Sequence, residues 1–377
     1  MVVRKLTFCF AFLVGLSCSS GSSKDGDSSD SGDSGVSPGL ALHFQSGFEE
    51  PGVVAGEVGT AKCSGDIQGK DTSVDKRGDW VGDLESFPIE SAKMCYGGPD
   101  VRTEGCDEPI CQRGIYIDED PELASNEVLV TWIQEPAENV SDSDNEACSG
   151  YTTEDGEWVE GMDGAAARKA RAQMTLSAVS SLEAFSYTIR VRLGNGFVDL
   201  AEAGKEINWM TIGEYWNKTP QCPDPDEATC TEPGDRGRVT LNVVKTAEEN
   251  AFRFGLKADY QDNEQPNGTG SWELLWEEES SREVPIETWF QMRVTITAGG
   301  AEMGHAHVEF APDTGGFETL FDVRGATNHP EAEVLGITAI NPIKLYTAGD
   351  YACALSLIGK RLDAMWDDFV FEVPKSE

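Results

Sequence analysis

The sequence predicts an all-β fold, an antiparallel sandwich, and three observations carry that expectation. From about Leu40 onward apolar residues recur with a period of two, as side chains that alternate between the two faces of a strand require. The alternating runs are short and are separated by clusters of Gly, Pro, Asn and Asp, the residues that turns demand. The 3.6-residue periodicity of an amphipathic helix is hard to find in the same stretch.

In chain order the runs are "LALHF", "NEVLVTWI", "ARAQMTLSA", "AFSYTIRVRL", "INWMTIGEYW", "GRVTLNVVK", "AFRFGLKAD", "SWELLWEE", "WFQMRVTITA", "HAHVEFAP", "FETLFDV", "NPIKLYT" and "AMWDDFVFEV". Each sets Val, Ile, Leu, Phe, Tyr or Trp against polar residues, the pattern of a strand with one buried face. Large sandwiches routinely form a single domain, so residues 40–377 are expected to be one unit. Residues 62–163 differ. They hold five cysteines, are rich in Gly, Asp and Glu, and read as long disulfide-pinned loops on one edge of the sandwich.

The chain begins "MVVRKLTFCFAFLVGLSC". Arg4 and Lys5 precede an apolar run too short to span a bilayer, which is the layout of an export signal. Cys18 stands where a bacterial lipoprotein signal places its lipidated cysteine, and "GLSC" resembles a lipobox, with Gly15 where Leu is more usual. Residues 1–18 are thus expected to be the signal. Residues 19–39, built of Ser, Gly and Asp, offer nothing to bury against their ordering entropy and read as a flexible tether. A bacterial envelope or surface lipoprotein, otherwise a secreted protein, follows, touching the membrane through a lipid anchor only. Beyond Cys9 and Cys18 eight cysteines remain, an even number that suits disulfides outside the cytoplasm.

Charge excludes one class of partner. With 29 Lys plus Arg against 67 Asp plus Glu, net −38, the chain repels phosphate backbones, so nucleic acid is not expected. Acidic loops also suit calcium, which takes hard oxygen ligands. "FQSGFEE" and "MWDDFVFE" read as adjacent first and last strands, and would bring Glu49 and Glu50 near Asp367 and Asp368 around a structural Ca2+. Acidic residues that simply face solvent are the alternative.

The succession "GFEE", "ARAQM", "WMTIGEYWN", "ETWFQMRVTI", "NPIKLYTAGD" and "WDDFVFE" resembles the jelly-roll polysaccharide lyases and related modules of the concanavalin A-like lectin and glucanase superfamily. The resemblance covers most of the chain beyond the tether, apart from the cysteine-rich loops. It implies a concanavalin A-like jelly roll whose concave sheet offers a polysaccharide three strands, bearing Arg-x-Glu, Gln-x-His, and Lys closely followed by Tyr. Arg171 and Gln173 match the first, with Gln in place of Glu, and Lys344 and Tyr346 match the third. The middle strand departs from the pattern, offering Glu214, Trp216 and Asn217 and no His.

The chemistry implied is β-elimination in a uronic-acid glycan, which needs a base at C5, an acid at the leaving oxygen, and donors for the carboxylate. Tyr346 would serve as base and acid beside Arg171 and Lys344, with Gln173 or Asn217 at the carboxylate. His329, in the turn-like "ATNHP", could supply the missing imidazole. Arg190 and Arg192 share a strand face and would line the groove or pair with carboxylates. Two alternatives stand beside the lyase. One is glycoside hydrolysis through Glu214, which lacks an evident second carboxylate. The other is glycan binding without cleavage on aromatic platforms such as Trp209, Tyr215, Trp216, Trp272, Trp276 and Tyr346. His305 and His307 on one strand face make a weak metal pair or, more simply, an exposed hairpin face.

Overall fold

The computed structural model describes residues 40–48, 63–66, 81–82, 89–96, 113–134, 153–154, 157–158, 169–218, 236–261, 272–331 and 336–374. All of them belong to one compact unit, Pro38–Glu377. Its strands are β1 (Leu40–Ser46), β2 (Cys63–Asp66), β3 (Val81–Gly82), β4 (Ile89–Tyr96), β5 (Arg113–Glu119), β6 (Glu127–Ile133), β7 (Thr153–Glu154), β8 (Glu157–Trp158), β9 (Lys169–Leu182) and β10 (Ala184–Leu193). After helix α1 (Gly196–Glu202) come β11 (Thr211–Lys218), β12 (Arg236–Val244), β13 (Arg253–Gln261), β14 (Trp272–Glu283), β15 (Phe290–Thr297), β16 (His305–Pro312), β17 (Glu318–Arg324) and β18 (Ile337–Ala348). Helix α2 (Gly349–Leu357) and β19 (Leu362–Pro374) close the succession.

Two antiparallel sheets account for nearly all of these strands. An eight-stranded sheet runs β14-β13-β12-β11-β18-β9-β4-β2. A nine-stranded sheet runs β17-β16-β15-β10-β19-β1-β3, with β6 also on β19 and β5 on β6. Along β19 one edge serves two neighbours: residues 362–366 pair with β6 and residues 369–374 pair with β1. Between the two halves lies Asp368, whose φ of 49° is unusual for a residue with a side chain.

The core lies between the sheets because each strand turns its apolar alternates inward. β10 gives Phe185, Tyr187, Ile189 and Val191, β12 gives Val239, Leu241 and Val243, and β19 gives Trp366, Phe369 and Phe371, all fully or almost fully buried. Burying such a side chain is worth about 1.5–3 kcal/mol, so the alternation read from the sequence is also what holds the sheets together. One polar link crosses this core: the hydroxyls of Tyr187 and Tyr215 lie 2.6 Å apart. Gly213 makes room for them, since a Cβ there would sit 2.7 Å from the Tyr215 hydroxyl and 3.2 Å from that of Tyr187.

The helices correct the all-strand reading in two places. Six of the nine residues of α2 are buried, so it carries no polar stripe from which a helical period could be read. Cys353 of α2 is fully buried and disulfide-bonded. In the eight-stranded sheet Cys63 stands opposite Cys95 across the β2–β4 pair. The remaining cysteines of the expected pinned loops, the signal, the tether, Cys18, Glu49 and Glu50 lie outside the described residues.

Candidate functional site on the eight-stranded sheet

The outward face of the eight-stranded sheet is polar, and its chemistry follows from strand alternation. On β9, Ala170, Ala172 and Met174 go to the core, which leaves Arg171, Gln173 and Thr175 outward. On β18, Ile343 and Leu345 go in, and Lys344 and Tyr346 come out. The register sets Lys344 opposite Gln173 and Tyr346 opposite Arg171. A break in register between Ile340 and Ile343, at Pro342, turns Asn341 to the same face. Proline cannot donate to the ladder, so a bulge there is expected. On β11, Glu214 and Trp216 alternate with the core residue Tyr215, and on β12 Arg238, Thr240 and Asn242 alternate with Val239 and Leu241.

Glu214 is the hub. Its carboxylate accepts from Lys344 Nζ, from Trp216 Nε1 at 2.8 Å, from Asn341 Nδ2 at 3.1 Å and from the Arg238 guanidinium at 3.3 Å. Arg238 in turn reaches Asp259 of β13 through two nitrogens, at 2.6 and 3.1 Å. Lys344 and Glu214 are 1% and 2% exposed, so this is an ion pair withdrawn from water. Burial by itself would raise the Glu214 carboxyl, but the Lys344 and Arg238 charges outweigh it and hold it below the usual range. Burial pulls the Lys344 ammonium down to about 8, with Arg171 and Arg238 pressing the same way and Glu214 opposing.

Above this floor opens a cleft of about 640 Å³ that crosses the strands from Tyr346 and Trp209 over Arg238 and Lys257 to Trp272 on β14. The Tyr346 ring is half-buried, 5.0 Å from the Trp209 ring and 4.6 Å from Lys344 Nζ. Trp272 is half-buried too, with the Arg238 guanidinium 3.8 Å from its ring and the Trp216 ring edge-on at 5.7 Å. Arg171 has neither hydrogen-bond nor ion-pair partner among the described residues, and it is partly exposed.

The face therefore brings together Arg171, Gln173, Glu214, Trp216, Lys344 and Tyr346. It does not bring in the other four residues expected at the groove. Asn217 falls on the opposite face of β11, next to Tyr215, and donates to the Gly336 carbonyl at 2.6 Å. His329 lies behind the sheet. Its ring stands edge-on to Tyr260 at 4.9 Å, and its backbone nitrogen is 2.7 Å from where a Cβ on Gly237 would sit, on the side away from Arg238. Arg190 and Arg192 are on β10, in the other sheet. Arg190 bridges Asp120 at 3.2 Å, Asp313 at 2.7 Å and Asp367 at 3.3 Å, and Arg192 faces Glu122 at 3.6 Å. Of the two readings offered for this pair, the structure shows ion pairs.

Of the expected calcium residues that are described, Asp367 has other partners and Asp368 is exposed. Asp367 accepts from Asn126 at 2.9 Å as well as from Arg190, and the Asp368 N–H closes onto it at 2.7 Å. Asp120 and Asp367 thus share one guanidinium, and among the described residues no group of three His, Cys, Asp or Glu is arranged to hold a metal ion. Tyr215 and Trp276 leave the set of sugar platforms: Tyr215 is fully buried, and the Trp276 indole donates to the Ala326 carbonyl at 2.8 Å. The His305 imidazole N–H donates to the exposed Asp322 of β17 at 2.6 Å.

Sequence reasoning passed over Arg238, Thr240, Asn242, Lys257 and Asp259, which make much of the cleft. The signal was present in "GRVTLNVVK" and "AFRFGLKAD", whose polar alternates are these very residues.

An antiparallel β-sandwich with a polar, aromatic-walled cleft across one sheet is the class that fold and site define. No family model matches the chain, and no curated protein matches it. Among solved structures it is similar to two lyases and to a glucanase domain. The marine PL-14 alginate lyase from Aplysia kurodai aligns over 69% of this chain and 90% of that one, at 11% identity and a TM-score of 0.37. The endo-β-1,4-glucuronan lyase from the fungus Trichoderma reesei aligns over 78% and 93%, at 10% identity and 0.38. A GH131 β-glucanase catalytic domain from Podospora anserina aligns over 72% and 89%, at 8% identity and 0.28. At these identities and scores no residue role passes from one chain to the other.

Proposed function

We propose that the chain binds a polysaccharide along the cleft and cleaves it by β-elimination next to a uronate. One observation carries the reading: Tyr346 stands in the cleft wall with an ammonium 4.6 Å from its ring, and opposite it across the β9–β18 pair is Arg171, which has no partner among the described residues. A phenol within reach of the reacting carbon and the leaving oxygen can serve both as proton acceptor and as proton donor in such a step. In the step proposed, the Tyr346 phenolate takes the proton from C5 of the uronate. The C5–H electrons form the C4–C5 double bond, the C4–O bond breaks, and the departing oxygen takes the proton from Tyr346. Arg171 pairs with the uronate carboxylate, where charge builds up as the proton leaves.

Glu214 has a different part from the one hydrolysis would give it. A general acid has to hold a proton, whereas this carboxylate is kept ionised by two cations and saturated by four donors. It positions Lys344 beneath Tyr346. The test is the ultraviolet absorbance of the new double bond with a panel of uronate glycans. Tyr346→Phe should abolish the rise while retaining the glycan on an affinity gel. A rise that survives this substitution overturns the mechanism. Retention of glycans without any rise in the unsubstituted protein would favour binding without cleavage, which Trp209, Trp216 and Trp272 also suit.

Export with a lipid on Cys18 belongs to the same proposal, supported by the layout of residues 1–18. The full chain should enter the detergent phase on cloud-point separation and the Cys18→Ala chain should not. Equal partitioning would remove the anchor.

A further inference from the structure

We infer that the arm of the cleft from Tyr346 to Trp272 receives uncharged sugars, so that the glycan this protein takes joins a uronate to neutral residues and is not a continuous polyuronate. The inference rests on the proposed function and deepens it.

Two cations line the arm, and neither is available. Arg238 is held by Asp259 and Glu214, and Lys257 lies 3.5 Å from Asp259. Glu277, on β14, also lines the arm, and in the register it stands opposite Lys257. Beneath them the Lys344 charge is taken by Glu214. Among the described residues that line it, the arm thus has no uncommitted positive charge, on a chain whose net charge is −38.

A continuous polyuronate brings one carboxylate per sugar. Each carboxylate entering the arm would meet Asp259 and Glu277 with no cation free to receive it, at a site half shielded from water. What the arm does offer is suited to hydroxyls and to the apolar faces of sugar rings. Trp272 is a platform braced by Arg238 on one side and Trp216 at its edge. Thr240 and Asn242 lie along the floor, where the Asn242 amide donates to the Thr240 hydroxyl at 3.0 Å. Arg171, which has no partner among the described residues, lies on the other side of Tyr346, across β18, and Arg236, which has none either, is not among the residues that line the arm. The layout is therefore one carboxylate position beside Tyr346 and neutral positions along the arm.

The experiment uses the full chain on affinity gels that carry either homopolyuronates (alginate, glucuronan) or heteroglycans that set a glucuronate among neutral sugars (gellan, xanthan, gum arabic), at two salt concentrations tenfold apart. At least one heteroglycan should be retained more tightly than both homopolyuronates. With a single charge contact, its affinity should fall by less than about tenfold across that range, where three contacts on a polyanion would cost about a hundredfold. Trp272→Ala should weaken heteroglycan retention at least tenfold. A Trp272→Phe chain, which keeps a ring and the fold, should lose much less. Tighter retention of alginate or glucuronan, or a fall of about a hundredfold with salt, overturns the inference and leaves the proposed function standing. Retention of no glycan at all removes both.

Discussion

Replacing Glu214 by Gln would remove one charge and keep nearly the same shape. The Lys344 ammonium, 1% exposed, would then have Arg171 and Arg238 as charged neighbours and no carboxylate in contact. Removing one partner of a buried ion pair costs about 3–5 kcal/mol. Lys344 can limit that cost by releasing its proton, because burial already holds it at about 8, and without Glu214 it must fall further. The sign follows from linkage. Between the lowered value in the variant and about 8, the unfolded variant binds a proton that the folded variant does not, so its stability rises with pH while that of the parent chain does not. Above about 8 both folded chains have released the proton and the difference is constant. Each pH unit of this window recovers about 1.4 kcal/mol. Urea unfolding should therefore show a deficit of about 3 kcal/mol or more at pH 6, smaller by at least about 1 kcal/mol at pH 9. Glu214→Gln combined with Lys344→Met should recover most of the loss, since an apolar pair of similar volume is often neutral to stability. A deficit below about 1 kcal/mol at pH 6, or one that is the same at both pH values, would refute the reasoning.

Three further outcomes are open to direct measurement. Tyr187→Phe should cost about 1–2 kcal/mol by leaving the Tyr215 hydroxyl without its partner, and the double change with Tyr215→Phe should cost less than the sum of the two single changes; strict additivity in the cycle would remove the hydrogen bond from the account. Arg190→Ala should destabilise by about 3–5 kcal/mol because Asp120 and Asp367 lose their shared cation, and Arg190→Lys should rescue only part of it, as an ammonium lacks the planar fork. A chelator should leave the melting temperature of the parent chain unchanged if Arg190 serves these two carboxylates; a clear fall would instead support calcium near Glu49 and Glu50.

Much of the fold could be read from the sequence because a strand with one buried face writes its orientation into every second residue. "AFSYTIRVRL" and "WFQMRVTITA" show this directly, and both are strands that turn the expected residues into the core. The same rule placed Arg171 with Gln173, and Lys344 with Tyr346, on one face. Register was not legible. Glu214 meets Lys344 and Asn341 only because β11 and β18 both shift their pairing, near Gly213 and near Pro342, and a shift of one residue exchanges the faces of everything beyond it. Asn217 and His329 went astray for a related reason. Nearness in sequence to Trp216 and to a turn says nothing about which side of the sheet receives the side chain. Arg190 and Arg192 obey the alternation, but alternation cannot say which of two sheets a strand joins.

The position of β19 bears on how the chain comes together in time. It is the last of the described strands, yet it lies inside the nine-stranded sheet, with β10 along one edge and β6 and β1 sharing the other. Until residues 362–374 arrive, these three strands have no common neighbour, and β1, with only the two residues of β3 on its other edge, waits for its longer partner more than three hundred residues away. Such pairings close slowly, because distant segments must meet before any contact rewards them. A nascent chain of this design stays open along the middle of that sheet until β19 is made.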